Sequence, residues 1–140
     1  MRAMGKVVLP ADWPAPAGYT PGMMAPAAGR MLAVSGQLGA DQAGHVTSKD
    51  FLAQFDRAVD NVVAVVQAAG GRPADIISFS IFVLDRLQYL ASTTEIALAW
   101  RRRTDAPYPA VTVVEVNGLI VPGALVEIQA LAVLAASTGQ

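Results

Sequence analysis

Between Pro107 and Ala130 the chain reads PYPAVTVVEVNGLIVPGALVEIQA. Val111 to Val116 is β-branched apart from one Glu, and Leu125 to Leu134 is almost entirely apolar. Asn117-Gly118 and Pro122-Gly123 supply turn chemistry between the two runs, which therefore read as two strands joined by a loop. The second run carries one carboxylate, Glu127. A charge buried alone in an apolar strand costs several kcal/mol, so Glu127 must be edge-exposed, paired or kept for chemistry.

The chain is long enough, at 140 residues, for one domain with a core, taken here as 1–140. It is 54% hydrophobic and 15% charged, which calls for either a membrane segment or a large subunit interface. No run reaches the roughly 18 uncharged apolar residues of a spanning helix, and the N-terminus meets Pro and Asp too early for a signal peptide. Homo-oligomerisation through an apolar face is the expectation, with no membrane partner. Cysteine is absent, which removes disulfides and thiolate metal sites and is compatible with the cytoplasm. A net charge of −1 provides no global field for nucleic acid.

The first thirty or so residues are rich in proline and glycine and read as irregular, with a short strand at Lys6 to Leu9. Tyr19 lies in GYTPG, as a packed loop tyrosine or a functional hydroxyl. Met31 to Gln37 reads as a strand ending near Ser35-Gly36, where small polar residues either form a turn or face a pocket. His45, the one histidine, has no second imidazole to share a metal and no nucleophile motif, so it reads as surface.

Ser48 to Ala69 is the clearest helix. Ser48 is the expected cap, Phe51, Phe55, Val59, Val62 and Val66 form the buried stripe, and Gly70-Gly71 ends it. Gln54, Arg57, Asn61 and Gln67 are assigned to the opposite face. The stripe is core, and no cofactor is expected. Ile76 to Leu84 alternates as a strand, with Ile77, Phe79, Ile81 and Val83 on one side. Leu87 to Arg103 reads as a second helix ending in three arginines, which favour the macrodipole and solvation. The order β-β-α-β-α-β-β, with hairpin-like pairs at each end, predicts an α+β fold. One mixed sheet carries both helices on one face, and a partner covers the other.

The ordered set of segments SGQL (Ser35 to Leu38), AVDNVVAVVQAAG (Ala58 to Gly70), DIISFSIFVLD (Asp75 to Asp85), YPAVTVVEV and PGALVEIQALAV resembles the RidA/YjgF reactive-intermediate (enamine/imine) deaminase family over nearly the whole chain. The resemblance implies a chorismate-mutase-like fold and a homotrimer with an inner barrel and small-molecule pockets between subunits. It puts Glu127 on the glutamate that positions or activates the attacking water. It puts Tyr19 near the pocket tyrosine and Ser35 and Gly36 on the pocket-lining Ser-Gly. Thr93 falls where many relatives have asparagine, and Val113 on a position whose backbone contacts ligand. Val111 falls on the arginine that grips the substrate carboxylate, which is a departure from the family pattern. Losing one partner of such a buried, charge-assisted pair costs on the order of 2–5 kcal/mol.

The substrate therefore lacks the usual carboxylate, or another cation replaces the arginine, with Arg101, Arg102 and Arg103 as candidates, or the pocket no longer deaminates imino acids. Strand parity puts Val111, Val113 and Glu115 on one face of their strand and Leu125, Glu127 and Gln129 on one face of theirs, which suggests an apolar, acidic pocket. Two functions follow: hydrolysis of an imine, enamine or related small molecule through Glu127, or a non-catalytic trimer that binds a small molecule or protein. Ribonuclease activity ranks behind both, because no histidine pair, metal cluster or basic groove is present.

Overall fold

The computed structural model describes residues 5–16 and 20–136. β1 (Lys6–Val8) and β2 (Gly22–Met24) form a small antiparallel ribbon with Val7 opposite Met23. The main body follows as β3 (Gly29–Leu38), α1 (Phe51–Ala68), a 3-10 turn at Pro73–Asp75, β4 (Ile76–Val83), α2 (Arg86–Leu90), α3 (Thr93–Arg103), β5 (Ala110–Glu115) and β6 (Val126–Ala135). Its sheet has the order β3-β6-β4-β5. β6 runs antiparallel to both β3 and β4, and β5 runs parallel to β4.

This topology keeps the α+β class and a mixed sheet but corrects the pairing at both ends: β1 pairs with β2 in a separate ribbon rather than with β3, which pairs with β6. β5 and β6 are not a hairpin, because β4 lies between them. A parallel β4–β5 pair needs a crossover, and α2 and α3 supply it. β6 is an inner strand and must be apolar along most of its length, which accounts for its composition.

The expected second helix is also two helices rather than one. Ser92 has φ −112° and ψ 4°, outside the helical region, and its hydroxyl donates to the Gln88 carbonyl at 2.8 Å. Serine and threonine side chains compete for backbone partners in this way, and Ser92-Thr93-Thr94 interrupts the helix although the apolar spacing continues through it.

α1 forms as its spacing predicts, with Phe51, Phe55, Val59, Val62 and Val66 buried. Its cap is Asp50 rather than Ser48: the Asp50 carboxylate accepts the Ala53 N–H at 2.9 Å, whereas Ser48 Oγ accepts the Asp50 N–H. Asp50 stands immediately before the first helical residue, where a short acceptor reaches an orphan amide. Asp50→Ala is expected to lower the unfolding free energy by about 1 kcal/mol. A lower urea midpoint with an unchanged slope would show it.

α1 and α3 contribute to one core with the sheet. Phe79, Ile81 and Val83 of β4 and Val126, Ile128, Ala130, Ala132 and Leu134 of β6 face it. A register shift between Ile76 and Ser78 brings Ile76, rather than Ile77, to the buried side. Glu127, Gln129 and Leu131 occupy the alternate positions of β6, so they point to the sheet's other face. Met31 (72% exposed) and Val114 (41% exposed) share that face by register, which leaves apolar surface there.

Candidate functional site

Glu127 is held by its neighbours. Val126 and Ile128 are fully buried against the helices, and this fixes the intervening side chain on the opposite face. There it stands opposite Phe82 of β4 and Leu38 of β3. The ladder between β3 and β6 slips between Val34 and Gln37, so Ser35-Gly36 forms an irregularity beside it. A methyl group added at Gly36 would overlap the Glu127 carboxylate and lie 2.9 Å from its Cδ and 3.0 Å from its Cγ. The glutamate side chain therefore lies across the Gly36 Cα, a path open only because glycine is there. Ser35 is exposed beside it, and its carbonyl accepts from Gln37 Nε2 at 3.1 Å.

Among the described residues the Glu127 carboxylate has no hydrogen-bond or ion-pair partner. It is half-buried, and no cation or N–H of the described residues occupies it.

Thr93, Val111 and Val113 come together elsewhere. They line a cavity of about 670 Å³ beneath α3, together with Tyr89, Ile96, Arg101 and Tyr108. Val111 pairs with Phe79 and Val113 with Ile81, and both valines pack against the helix-side core. Parity within each strand holds, but it does not bring the two sets together in one subunit. Within one protomer Glu127 and the two valines stand on opposite faces of the sheet. Tyr19 lies outside the described residues. Thr20 bridges to Ala110 at the start of β5 and lines a second, adjoining cavity of about 450 Å³.

The three arginines that end α3 differ in their surroundings. Arg103 is occupied: its Nη2 donates to Asp56 Oδ1 at 2.8 Å and Asp60 Oδ1 at 2.7 Å, joining α3 to α1. Arg102 is exposed and lines neither cavity, whereas Arg101 lines both. Tyr108 also borders both, packed edge-on against Phe79 and Trp100. Its hydroxyl is buried and has no hydrogen-bond partner among the described residues. Burial pushes its pKa well above the ordinary tyrosine value, so it is a neutral donor. Tyr89 is raised in the same direction by burial. No local signal singles out Tyr108, since the strand-leading YPAV reads as β propensity alone.

The family model described as Endoribonuclease L-PSP matches residues 11–134. The chain belongs to the Endoribonuclease L-PSP (RidA/YjgF) family. A 2-iminobutanoate/2-iminopropanoate deaminase of Salmonella typhimurium is 34% identical over 119 residues, spanning 85% of this chain and 91% of that protein. A RutC family protein of Haemophilus influenzae is 32% identical over 119 residues, with the same two shares. Among solved structures, a Rid-family protein of unknown function, YyfB from Yersinia pestis, superposes with a TM-score of 0.81 at 25% identity. It covers 94% of this chain and 100% of its own. The Escherichia coli YjgF gene product gives a TM-score of 0.66 at 33% identity, covering 91% and 98%. RidA/YjgF membership accounts for the mixed sheet with helices on one side. Among the described residues, no helix is long and apolar enough to cross a membrane.

Proposed function

We propose that this RidA/YjgF-family protein is a cytoplasmic hydrolase of a small imine, enamine or related compound. It works as a homotrimer of chorismate-mutase-like subunits with pockets between adjacent copies. The observation that carries this reading is the Glu127 carboxylate, laid over Gly36 and unpartnered on a sheet face with exposed apolar side chains. Ser35, Gly36 and Glu127 lie on one side of the sheet and Thr93, Val111 and Val113 on the other. A site that uses both sets needs a second copy, whose contact would also cover Met31 and Val114. The relatives named as iminobutanoate/iminopropanoate deaminases point to the C=N bond as the target.

In this reading a water molecule held by Glu127 adds to the imine carbon while the carboxylate takes up its proton, and Glu127 then passes that proton to the nitrogen. The resulting carbinolamine expels ammonia and leaves a carbonyl compound. General-base assistance of this kind contributes about 10²–10⁴-fold. The absence of arginine at Val111 removes a two-pronged anchor for the smallest imino acids. That amounts to about 30- to several-thousand-fold in affinity.

Two results are expected from purified protein. Glu127→Gln should abolish ammonia release from whichever imine or enamine of a broad panel the wild type hydrolyses. Release of ammonia from 2-iminopropanoate should lag an arginine-bearing relative by at least about 30-fold. Hydrolysis of 2-iminopropanoate at the relative's rate would overturn the second point. Failure of every imine, amide and enol ether in the panel to react would instead support a non-catalytic binding trimer, the reading favoured by Val111 in the cavity wall.

A further inference from the structure

We propose that Ser35, Gln129, Ser80 and Thr112 form a polar belt that holds a chain of bound water against the sheet and leads it to the Glu127 carboxylate. The belt follows from register. Gln129 on β6 pairs with Ser80 on β4, and Ser80 pairs with Thr112 on β5. On the other side the ladder steps from Val34 opposite Ala130 to Gln37 opposite Ile128, so Ser35 and Gly36 together oppose the single Gln129. One polar row therefore crosses β3, β6, β4 and β5 on the face away from the helices. Its β3 end lies beside Gly36, over which the Glu127 carboxylate is laid.

The rows on either side of the belt are mostly apolar. Phe82 and Val114 stand beside Glu127, and Ala33, Leu131 and Ala110 beside Ser78. None of the four belt side chains has a hydrogen bond to another described residue. In one protomer solvent satisfies them, since Ser35, Gln129 and Thr112 are exposed and Ser80 is half-buried. The inference rests on the proposed function for its cover, because that reading lays a second copy over this same face. A polar group covered without a partner loses its hydration at a cost, so the belt keeps its water. Directly opposed Cβ atoms stand about 5 Å apart, and one water bonded at about 2.8 Å to each side spans such a gap. A short chain of bridging waters thus crosses the sheet and ends at the carboxylate. Hydrolysis of a C=N bond consumes one water per turnover, and the belt supplies it through a cover that is otherwise mostly apolar.

A crystal structure of the assembled full-length protein, together with the kinetics of belt variants, tests it. The structure is expected to show ordered waters bonded to Ser80 Oγ, Thr112 Oγ1 and the Gln129 amide, in a line that reaches Glu127. Thr112→Val combined with Ser80→Ala should remove those waters and lower kcat about ten-fold with KM unchanged, whereas Thr112→Ser should keep both. Neither hydroxyl bonds to a described residue, so light scattering should give every variant the mass of the wild type. Thr112→Val alone, at an exposed position, gives the same reading should the double variant not assemble. A dry belt whose groups bond directly to a neighbouring copy, a protein that is monomeric in solution, or a double variant with wild-type kcat overturns the proposal. The two readings fail separately. If waters line the belt while the wild type hydrolyses no panel compound, the belt stands and the hydrolase reading falls. If Glu127-dependent hydrolysis proceeds beside a dry belt, the reverse holds.

Discussion

Gln54→Leu is expected to lower the midpoint of thermal unfolding by about 10 °C. Gln54 is fully buried in α1, and its amide is fully used. Nε2 donates to the carbonyls of Ser48 at 2.7 Å and Gly123 at 2.9 Å, and Oε1 accepts the Leu125 N–H at 2.8 Å. One side chain thus ties the approach to α1 to the turn that starts β6, across about seventy residues of sequence. Leucine fills similar space and gains apolar burial, but it strands two carbonyls and one N–H. Each stranded group costs about 1–3 kcal/mol, so a net loss near 3 kcal/mol remains. For a chain of this size that corresponds to about 3–4 °C per kcal/mol. Gln67→Leu, on the exposed side of the same helix, should shift the midpoint by little. Because Leu125 stands two residues before Glu127, the variant should also lose turnover at temperatures where it remains folded. A midpoint within about 2 °C of wild type would show that the amide is replaceable.

Gln54 also marks where sequence and structure part. Its spacing, three after Phe51 and four before Ala58, places it on the buried stripe of α1. Its polarity assigned it to the outer face, and polarity was the poorer guide, since a fully satisfied amide is at home in a core. Local periodicity located α1, β3, β4 and β6 to within a few residues because burial of one face acts residue by residue. It did not reveal which strands adjoin. The turn residues after β5 suggested a hairpin, but Val116 N–H donates to Val83 and Leu84 N–H to Leu125, so β4 takes both partners.

The relation between Val111 and Glu127 was hidden for the same reason. Parity along each strand is local, whereas the relative phase of two strands is set through the one between them. Val111 aligns with Phe79 and Glu127 with Phe82. Those partners stand three positions apart on β4, an odd number, and the two side chains emerge on opposite faces. The family resemblance supplied the candidate residues. Which of them meet within a protomer followed only from the register.

Gly36→Ala should reduce Glu127-dependent turnover by about 100-fold while leaving the fold and its stability nearly intact. The overlap of the new methyl group is with the carboxylate end of a side chain, with Cδ at 2.9 Å and Cγ at 3.0 Å. A glutamate can rotate away from such a contact at little cost, so the strand has no reason to move. The penalty falls on where the carboxylate ends up, and a displacement of about 1 Å at a reacting group costs about 10²-fold. Gly39→Ala provides the contrast, because there the added Cβ would lie 2.5 Å from Gln54 Cα and 2.6 Å from its carbonyl oxygen. That contact is with helix backbone, which cannot rotate aside, so the loss should appear as stability rather than as turnover alone. In Gly36→Ala, kcat should fall while the unfolding midpoint stays within about 2 °C of wild type. Combining it with Glu127→Gln should add nothing further, because both changes remove the same carboxylate from the same place. Full activity in Gly36→Ala would mean that the path across Gly36 does not matter to the chemistry, and the site would then have to be built around a different glutamate position.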